Sequence, residues 1–342
     1  MYQYIGGIFV MKIIAYAVRD DERPFFDTWM KENPDVEVKL VPELLTEDNV
    51  DLAKGFDGAD VYQQKDYTAE VLNKLADEGV KNISLRNVGV DNLDVPTVKA
   101  RGLNISNVPA YSPNAIAELS VTQLMQLLRQ TPMFNKKLAK QDFRWAPDIA
   151  KELNTMTVGV IGTGRIGRAA IDIFKGFGAK VIGYDVYRNA ELEKEGMYVD
   201  TLDELYAQAD VITLHVPALK DNYHMLNADA FSKMKDGAYI LNFARGTLID
   251  SEDLIKALDS GKVAGAALDT YEYETKIFNK DLEGQTIDDK VFMNLFNRDN
   301  VLITPHTAFY TETAVHNMVH VSMNSNKQFI ETGKADTQVK FD

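Results

Sequence analysis

Short β-branched and aliphatic runs alternate with longer stretches of helical period along most of the chain. That alternation predicts α/β structure built on parallel sheet. In the first hundred residues the strand-like runs are 12–18, 36–40, 59–62, 82–86 and 103–106. Helical patterns fall near 21–32, 68–77 and 95–101. Two turn signals then follow closely, Asn107-Val108-Pro109 and Ser112-Pro113. Pro113 suits a first helical position, and a helix is predicted from Asn114 to Arg129. A second strand–helix series begins with Thr157-Val158-Gly159-Val160-Ile161 and a helix over 165–177. Strands are predicted at 180–184, 210–214, 238–241, 263–268 and 301–304, and a closing helix at 311–331. The stretch 271–290 is polar, lacks a clear period and reads as an inserted loop.

Two α/β domains follow from this pattern, with a boundary near 110 and a second crossing near 307–310. Residues 11–110 with 309–342 are assigned to one domain and 111–308 to the other, while 1–10 read as an extension outside the fold. A length of 342 residues fits two domains. No run of 18 uncharged apolar residues occurs, so no transmembrane helix is expected. The formal charge of −14 makes nucleic acid and anionic membranes unfavourable partners and requires a local basic site for any anionic substrate. The absence of Cys removes disulfides, thiolate catalysis and Cys-based metal sites, and is compatible with a reducing compartment.

Gly162-Thr163-Gly164-Arg165-Ile166-Gly167 is a G-x-G-x-x-G element after a buried strand and at the start of a helix. Asp185 ends the next strand, 18 residues beyond Gly167. That context matches a dinucleotide fingerprint. Gly162 permits a tight turn, Gly164 lets a diphosphate approach, and Gly167 lets helix pack on strand. Asp185 would accept the adenosine ribose hydroxyls and repel a 2′-phosphate, favouring NAD over NADP. The alternative is three turn glycines and a solvated Asp.

The five histidines are His215, His224, His306, His316 and His320. His306 follows a strand in Ile303-Thr304-Pro305-His306-Thr307, at the carboxyl end where open α/β sheets bind ligands. His215 also ends a strand and reads either as cofactor-facing or as structural. His224 reads as a surface residue. His316 and His320 have i, i+4 spacing without an obvious third ligand, so no metal site is predicted. Arg245 lies just after a strand, suited to bidentate capture of a carboxylate or else an ordinary surface Arg. Glu274 and Asp269 follow the strand 263–268, and either carboxylate could stabilise an imidazolium or remain a solvated loop charge.

The fingerprint with Asp185, the Asn242-to-Gly246 segment with Asp250 beyond it, Glu274 and Pro305-His306 occur in an order that resembles the D-2-hydroxyacid dehydrogenase family. The resemblance spans 12–342. Tyr62-Gln63-Gln64, Arg86-Asn87-Val88-Gly89-Val90-Asp91, the segment from Val108 to Asn114, and the segment from His306 to Thr311 support it. Ile249, where the family often has Val, is a mild departure.

The resemblance implies two Rossmann-like domains flanking an interdomain cleft. The first would be a flavodoxin-like substrate domain and the second the NAD-binding domain. It also implies reversible hydride transfer between NADH and pyruvate, giving D-lactate, in a cytoplasmic homodimer paired through 113–142. By resemblance His306 is the general acid/base, Glu274 its carboxylate partner and Arg245 the substrate anchor. Arg165, Ile166, Asp185, Val216, Pro217, Asn222, Phe243 and Ala244 fall at NAD contacts, and Asp269 near the nicotinamide. Val88 and Gly89 would hold the substrate carboxylate by backbone N–H groups, with Tyr62, Tyr111 and Phe309 on the side-chain wall. Larger branched 2-oxo acids are an alternative substrate class. Formate oxidation would call for an amide in place of Glu274. An NAD-sensing corepressor or scaffold is the alternative of a different kind.

Overall fold

The computed structural model describes residues 4–5, 8–9, 11–63, 65–147 and 149–341. The chain divides into two compact units, Met1–Ser112 with Tyr310–Asp342, and Pro113–Phe309. In the first unit β1 (Tyr4–Ile5) and β2 (Ile8–Phe9) form a short antiparallel pair within the stretch read as an extension. The main sheet comprises β3 (Met11–Ala15), β4 (Val36–Leu40), β5 (Gly58–Val61), β6 (Asn82–Leu85) and β7 (Asn104–Ser106). All its pairs are parallel, in the order β4-β3-β5-β6-β7. Between the strands run α1 (Arg23–Glu32), α2 (Ala69–Asp77) and α3 (Val95–Arg101). This is the flavodoxin-type order, whose direction reverses between β3 and β5. The ends of β3 and β5 are therefore where this sheet offers a ligand crevice.

The strand expected over 12–18 stops at Ala15. Ala17 has φ +55, a left-handed conformation that ends the ladder, although Tyr16, Ala17 and Val18 remain buried. The reversal has a visible use. Arg86, fully buried, donates to the Tyr16 and Ala17 carbonyls at 2.8 and 3.0 Å, to Glu22 at 3.2 Å and to Asp60. One guanidinium thus ties the ends of β3, β5 and β6 to the start of α1. Such a charge is tolerated in the interior only because it is paired and its donors are used.

The second unit opens with α4 (Pro113–Leu128) and α5 (Thr131–Ala139). The predicted helix ends at Leu128, and Gln130, with φ +53, turns the chain into α5. Pro132, in the first turn of α5, is at home there. Next come β8 (Thr157–Ile161), α6 (Arg165–Gly176), β9 (Lys180–Tyr184), α7 (Ala190–Lys194), α8 (Leu202–Gln208) and β10 (Val211–Leu214). Then follow α9 (Ala228–Lys233), β11 (Ala238–Asn242), α10 (Ser251–Asp259), β12 (Val263–Leu268), α11 (Lys290–Phe296) and β13 (Val301–Ile303). The sheet is parallel throughout, in the order β13-β12-β11-β10-β8-β9. Every residue of β10 and β11 is buried, as expected for strands covered by helices on both faces. Strand order reverses between β8 and β10, which places a ligand crevice beyond their carboxyl ends.

The stretch read as a polar loop holds one 3₁₀ turn, Glu274–Lys276, and is not wholly solvated. Ile277 and Phe278 are buried in the core of this unit. The last helix, α12 (Glu312–Thr332), belongs to the first unit. Thr311 caps its first turn through Ala314 N, and Gly333 at φ +74 ends it. Val319 and Met323 pack with Phe26 and Trp29, whose indole N–H donates to Asn324 at 2.8 Å. Each of these apolar side chains contributes on the order of 2 kcal/mol by leaving water. Among the described residues, no helix is long and apolar enough to cross a membrane.

Candidate active site

The glycine-rich loop joins β8 to α6. Gly162 has φ +93, and a Cβ there would lie 2.6 Å from the His215 carbonyl oxygen. A Cβ on Gly167 would lie 1.9 Å from the Gly162 carbonyl oxygen. Neither position accepts a side chain. Gly164, at the N-cap of α6, faces open space, and no side chain caps that helix. The first N–H groups of α6 and the positive end of its dipole are therefore available to an anion, and the loop fits a dinucleotide diphosphate. Arg165 is exposed at the helix start and Ile166 half-buried behind it.

Asp185 lies at the end of β9 and braces this loop. Its Oδ2 accepts from Thr163 N at 2.6 Å and Thr163 Oγ1 at 3.1 Å, and its Oδ1 from Tyr187 N at 2.9 Å. A carboxylate has about four acceptor sites, so capacity remains for ribose hydroxyls. Asp185→Ala is expected to weaken NADH binding by about tenfold or more and to narrow the preference over NADPH. Paired titrations of the two nucleotides check this, and wild-type protein that uses NADPH as well as NADH would contradict it.

Of the remaining positions assigned to the cofactor, all but Asp269 lie after β10 and β11. His215 follows β10, its Nε2 3.0 Å from Thr213 Oγ1. Burial pushes its imidazole down to about 4, so the ring is neutral near pH 7. Its Nδ1 is buried without a protein partner among the described residues, a polar atom left for something outside the chain. Val216 is half-buried and Pro217 exposed. The Asn222 amide closes their loop, accepting from Leu219 N at 2.7 Å and donating to Pro217 O at 2.8 Å. Phe243 is buried and Ala244 half-buried after β11.

The structure brings His306, Glu274 and Asp269 together at the carboxyl ends of β12 and β13. His306 Nδ1 lies 2.6 Å from Glu274 Oε1, while Glu274 Oε2 accepts from Tyr271 N at 2.9 Å. The carboxylate is thus clamped at both oxygens. Asp269 is buried and accepts from Thr304 Oγ1 at 2.6 Å, Thr307 N at 2.9 Å and Ala308 N at 3.0 Å. Its carbonyl takes the His306 N–H at 2.8 Å. Asp269 therefore shapes the turn that presents His306, whose φ is +55. Its own carboxyl is shifted upwards by burial, against the pull of those hydrogen bonds and of His306.

Burial works against a protonated His306. The hydrogen bond and charge of Glu274, helped by Asp269, outweigh burial and the opposing charge of Arg245. The imidazole is held above its ordinary range. With Nδ1 committed to Glu274, Nε2 is the nitrogen left to exchange a proton with a ligand.

Arg245 follows β11 and is half-buried. Asn242, fully buried, sets its backbone by accepting from Ala244 N at 3.1 Å and donating to Arg245 O at 2.9 Å. The guanidinium donates to the Ala244 carbonyl at 2.9 Å. Phe309 is half-buried in the same unit.

Four positions assigned to the substrate belong to the first unit. Tyr62 follows β5 directly, with the Arg19 guanidinium 5.2 Å from its ring centre. Val88 and Gly89 lie in the turn after β6. The Val88 carbonyl accepts from Asn107 Nδ2 at 2.6 Å and the Gly89 carbonyl from Asn87 Nδ2 at 2.5 Å. With both carbonyls engaged, the N–H groups are what this turn offers a carboxylate. Tyr111 is half-buried, its carbonyl taking the Asn317 amide at 2.7 Å.

One histidine departs from its sequence reading. His224 is not a free surface residue. Its ring lies between Glu272 and Asp250, with only 22% of the side chain exposed. Glu272 carried no signal of its own in the sequence beyond standing two residues before Glu274. On α12, His316 and His320 stack on each other at 4.1 Å.

The profile of the D-isomer specific 2-hydroxyacid dehydrogenase NAD-binding domain matches residues 121–308. D-lactate/D-glycerate dehydrogenase of Pediococcus acidilactici is 63% identical over 97% of this chain and 100% of its own length. A solved D-2-hydroxyisocaproate dehydrogenase superposes with a TM-score of 0.90 at 44% identity, covering 96% of this chain and 99% of that one. The NAD-complexed D-isomer specific 2-hydroxyacid dehydrogenase of Lactobacillus delbrueckii ssp. bulgaricus gives a TM-score of 0.85 at 39% identity, covering 96% of this chain and 100% of that one. Likeness of this extent, together with a loop shaped for a dinucleotide and a clamped histidine–carboxylate pair, settles the family: the chain belongs to the NAD-dependent D-isomer specific 2-hydroxyacid dehydrogenases.

Proposed function

We propose that this oxidoreductase interconverts pyruvate and D-lactate. The His306–Glu274 pair, set beside a guanidinium, is the observation that carries the reading. When bound to Gly162–Gly167 and Asp185, NADH supplies the hydride that the carbonyl carbon accepts. Arg245 takes the substrate carboxylate as a planar fork; in the first unit, the Val88 and Gly89 N–H groups are the donors this reading assigns to substrate. Arg245 also supplies the local positive charge that an anionic substrate needs on a chain of formal charge −14. His306 passes its Nε2 proton to the carbonyl oxygen, and Arg245 stabilises charge growing on that oxygen. In the reverse direction neutral His306 removes the hydroxyl proton. Asp269 acts here through the turn it shapes.

Tyr62 and Tyr111 in the first unit, and Phe309 in the second, are the aromatics this reading assigns to the substrate side chain, and their bulk favours a short one. The likeness to a D-2-hydroxyisocaproate dehydrogenase gives a second reading, in which branched 2-oxo acids are preferred. Glu274 argues against formate oxidation, where an amide would be expected in its place. NADH consumption measured with pyruvate, hydroxypyruvate and 2-oxoisocaproate separates the readings. Pyruvate should give the highest kcat/KM and yield D-lactate. A higher value for 2-oxoisocaproate would replace this substrate assignment, and no turnover with any of the three would favour an NAD-sensing corepressor or scaffold.

The same reading includes a homodimer in the cytoplasm. Its pairing region is 113–142, and just beyond it Phe143, Trp145 and Ile149, 74%, 79% and 89% accessible, add apolar surface that a second copy could cover.

A further inference from the structure

We propose that His224 is a positioning residue for this reaction, bridging the segment that carries Arg245 to the segment that carries Glu274. The proposal rests on the roles given above to those two residues. His224 Nε2 lies 2.7 Å from Glu272 Oε2, and Nδ1 lies 3.2 Å from Asp250 Oδ2. Tyr223 stacks on the ring at 3.9 Å between centres. Asp250 stands five residues after Arg245, and Glu272 two before Glu274.

Asp250 is tied to its own segment, and Glu272 reaches across to the segment that carries Asp250. Asp250 Oδ1 caps α10 through Glu252 N and Asp253 N, at 3.1 and 3.0 Å. Glu272, with 6% of its side chain exposed, accepts from Ser251 N at 3.4 Å through Oε1. The backbone around His224 joins the same assembly, with His224 N donating to Thr247 O at 2.9 Å.

The two segments touch closely where the bridge spans them. A Cβ on Gly246 would lie 2.1 Å from the Tyr271 carbonyl carbon and 2.3 Å from Glu272 N. Arg245 and Glu274 therefore stand on backbones pressed together with no side chain between. Asp250 and Glu272, both acidic, would push these backbones apart. The imidazole stands between them, with one ring nitrogen at each carboxylate. The groups facing the ring are Asp250, Glu272 and the Tyr223 ring, with Asp253 on the adjoining turn of α10. His224 has φ +49, so the backbone adopts a left-handed conformation to place the ring there. His306 is left-handed as well, and such conformations gather at functional sites.

The test uses His224→Asn, because Asn tolerates left-handed backbone but cannot span both carboxylates. Steady-state pyruvate reduction by the full chain is measured against pH, with NADH affinity followed by fluorescence. A small displacement of reacting groups costs up to about a hundredfold. The expected fall in kcat/KM for pyruvate is about ten- to a hundredfold, with NADH Kd within about twofold of wild type. The alkaline limb of the pH profile should move, because Glu274 is held less firmly against His306. Combined with Glu274→Gln, the loss in the double variant should be smaller than the product of the two single losses. Unchanged kcat/KM and pH profile, or a loss confined to NADH Kd, would overturn the proposal. If His224→Asn does not fold, Glu272→Gln takes its place with the same expected and contradicting results. An inactive His306→Gln beside an unaffected His224→Asn defeats this proposal alone, whereas a fully active His306→Gln defeats the reading of the site beneath it.

Discussion

His306→Gln is expected to bind NADH as wild type does and to lose between about 10²- and 10⁴-fold in kcat for pyruvate reduction. Gln is near His in size and keeps a hydrogen-bonding end, so the turn built by Asp269, Thr304 and Ala308 should persist. It has no proton to give at neutral pH. The glycine-rich loop and Asp185 lie on β8 and β9, away from the β12 and β13 ends that carry His306. A titration of NADH binding beside the kcat measurement separates the two functions. Loss of NADH binding with loss of turnover would show a folding defect and not a missing acid.

Glu274→Gln is expected to leave an enzyme that works at lower pH and fails earlier as pH rises. The substitution keeps size and one hydrogen bond to His306 Nδ1 but removes the negative charge. In the wild type, burial pulls the imidazole towards neutrality, and Glu274 is the largest influence opposing it. Without that charge, burial and Arg245 prevail more readily, and the His306 proton is lost at lower pH. A charge-assisted hydrogen bond exceeds a neutral one by roughly 1–2 kcal/mol. The alkaline limb of reduction should therefore move to lower pH. Lactate oxidation needs the neutral ring, so its acidic limb should move down with it. The single Gln oxygen can accept from His306 Nδ1 or from Tyr271 N, so one of the two contacts made by Glu274 is lost.

The parts of this site legible along the chain were those whose signal is local. The runs at 157–161 and 263–268 coincide with strands because residues buried on both faces of a parallel sheet are mostly apolar, and the run at 180–184 does so at the sheet edge, where Lys180 is exposed. Gly162 and Gly167 announce their turn because no other residue fits there. The end of β3 was not legible. Nothing in Tyr16-Ala17-Val18 signals a left-handed Ala17, since the cause is Arg86, some seventy residues away. His224 was misread for the same reason, as its partners lie 26 and 48 residues further on. The pairing of His306 with Glu274 spans 32 residues and came from resemblance, where spacing alone left Asp269 and Glu274 equivalent. The structure separates them: Glu274 reaches the ring, and Asp269 builds the turn beneath it.

The central claim is that His306, kept protonated by Glu274, delivers the proton in reduction of a 2-oxo acid. Its most direct test is kcat/KM for pyruvate as a function of pH in wild type and Glu274→Gln, each with saturating NADH. The wild-type value should hold to a pH above that of an ordinary histidine and then fall, because the folded site raises the imidazole and reduction consumes its proton. The variant should show the same fall displaced to lower pH. Superimposable profiles would show that Glu274 does not set the acid, and a wild-type profile with no fall on the alkaline side of the ordinary histidine range would show that His306 is not the proton donor.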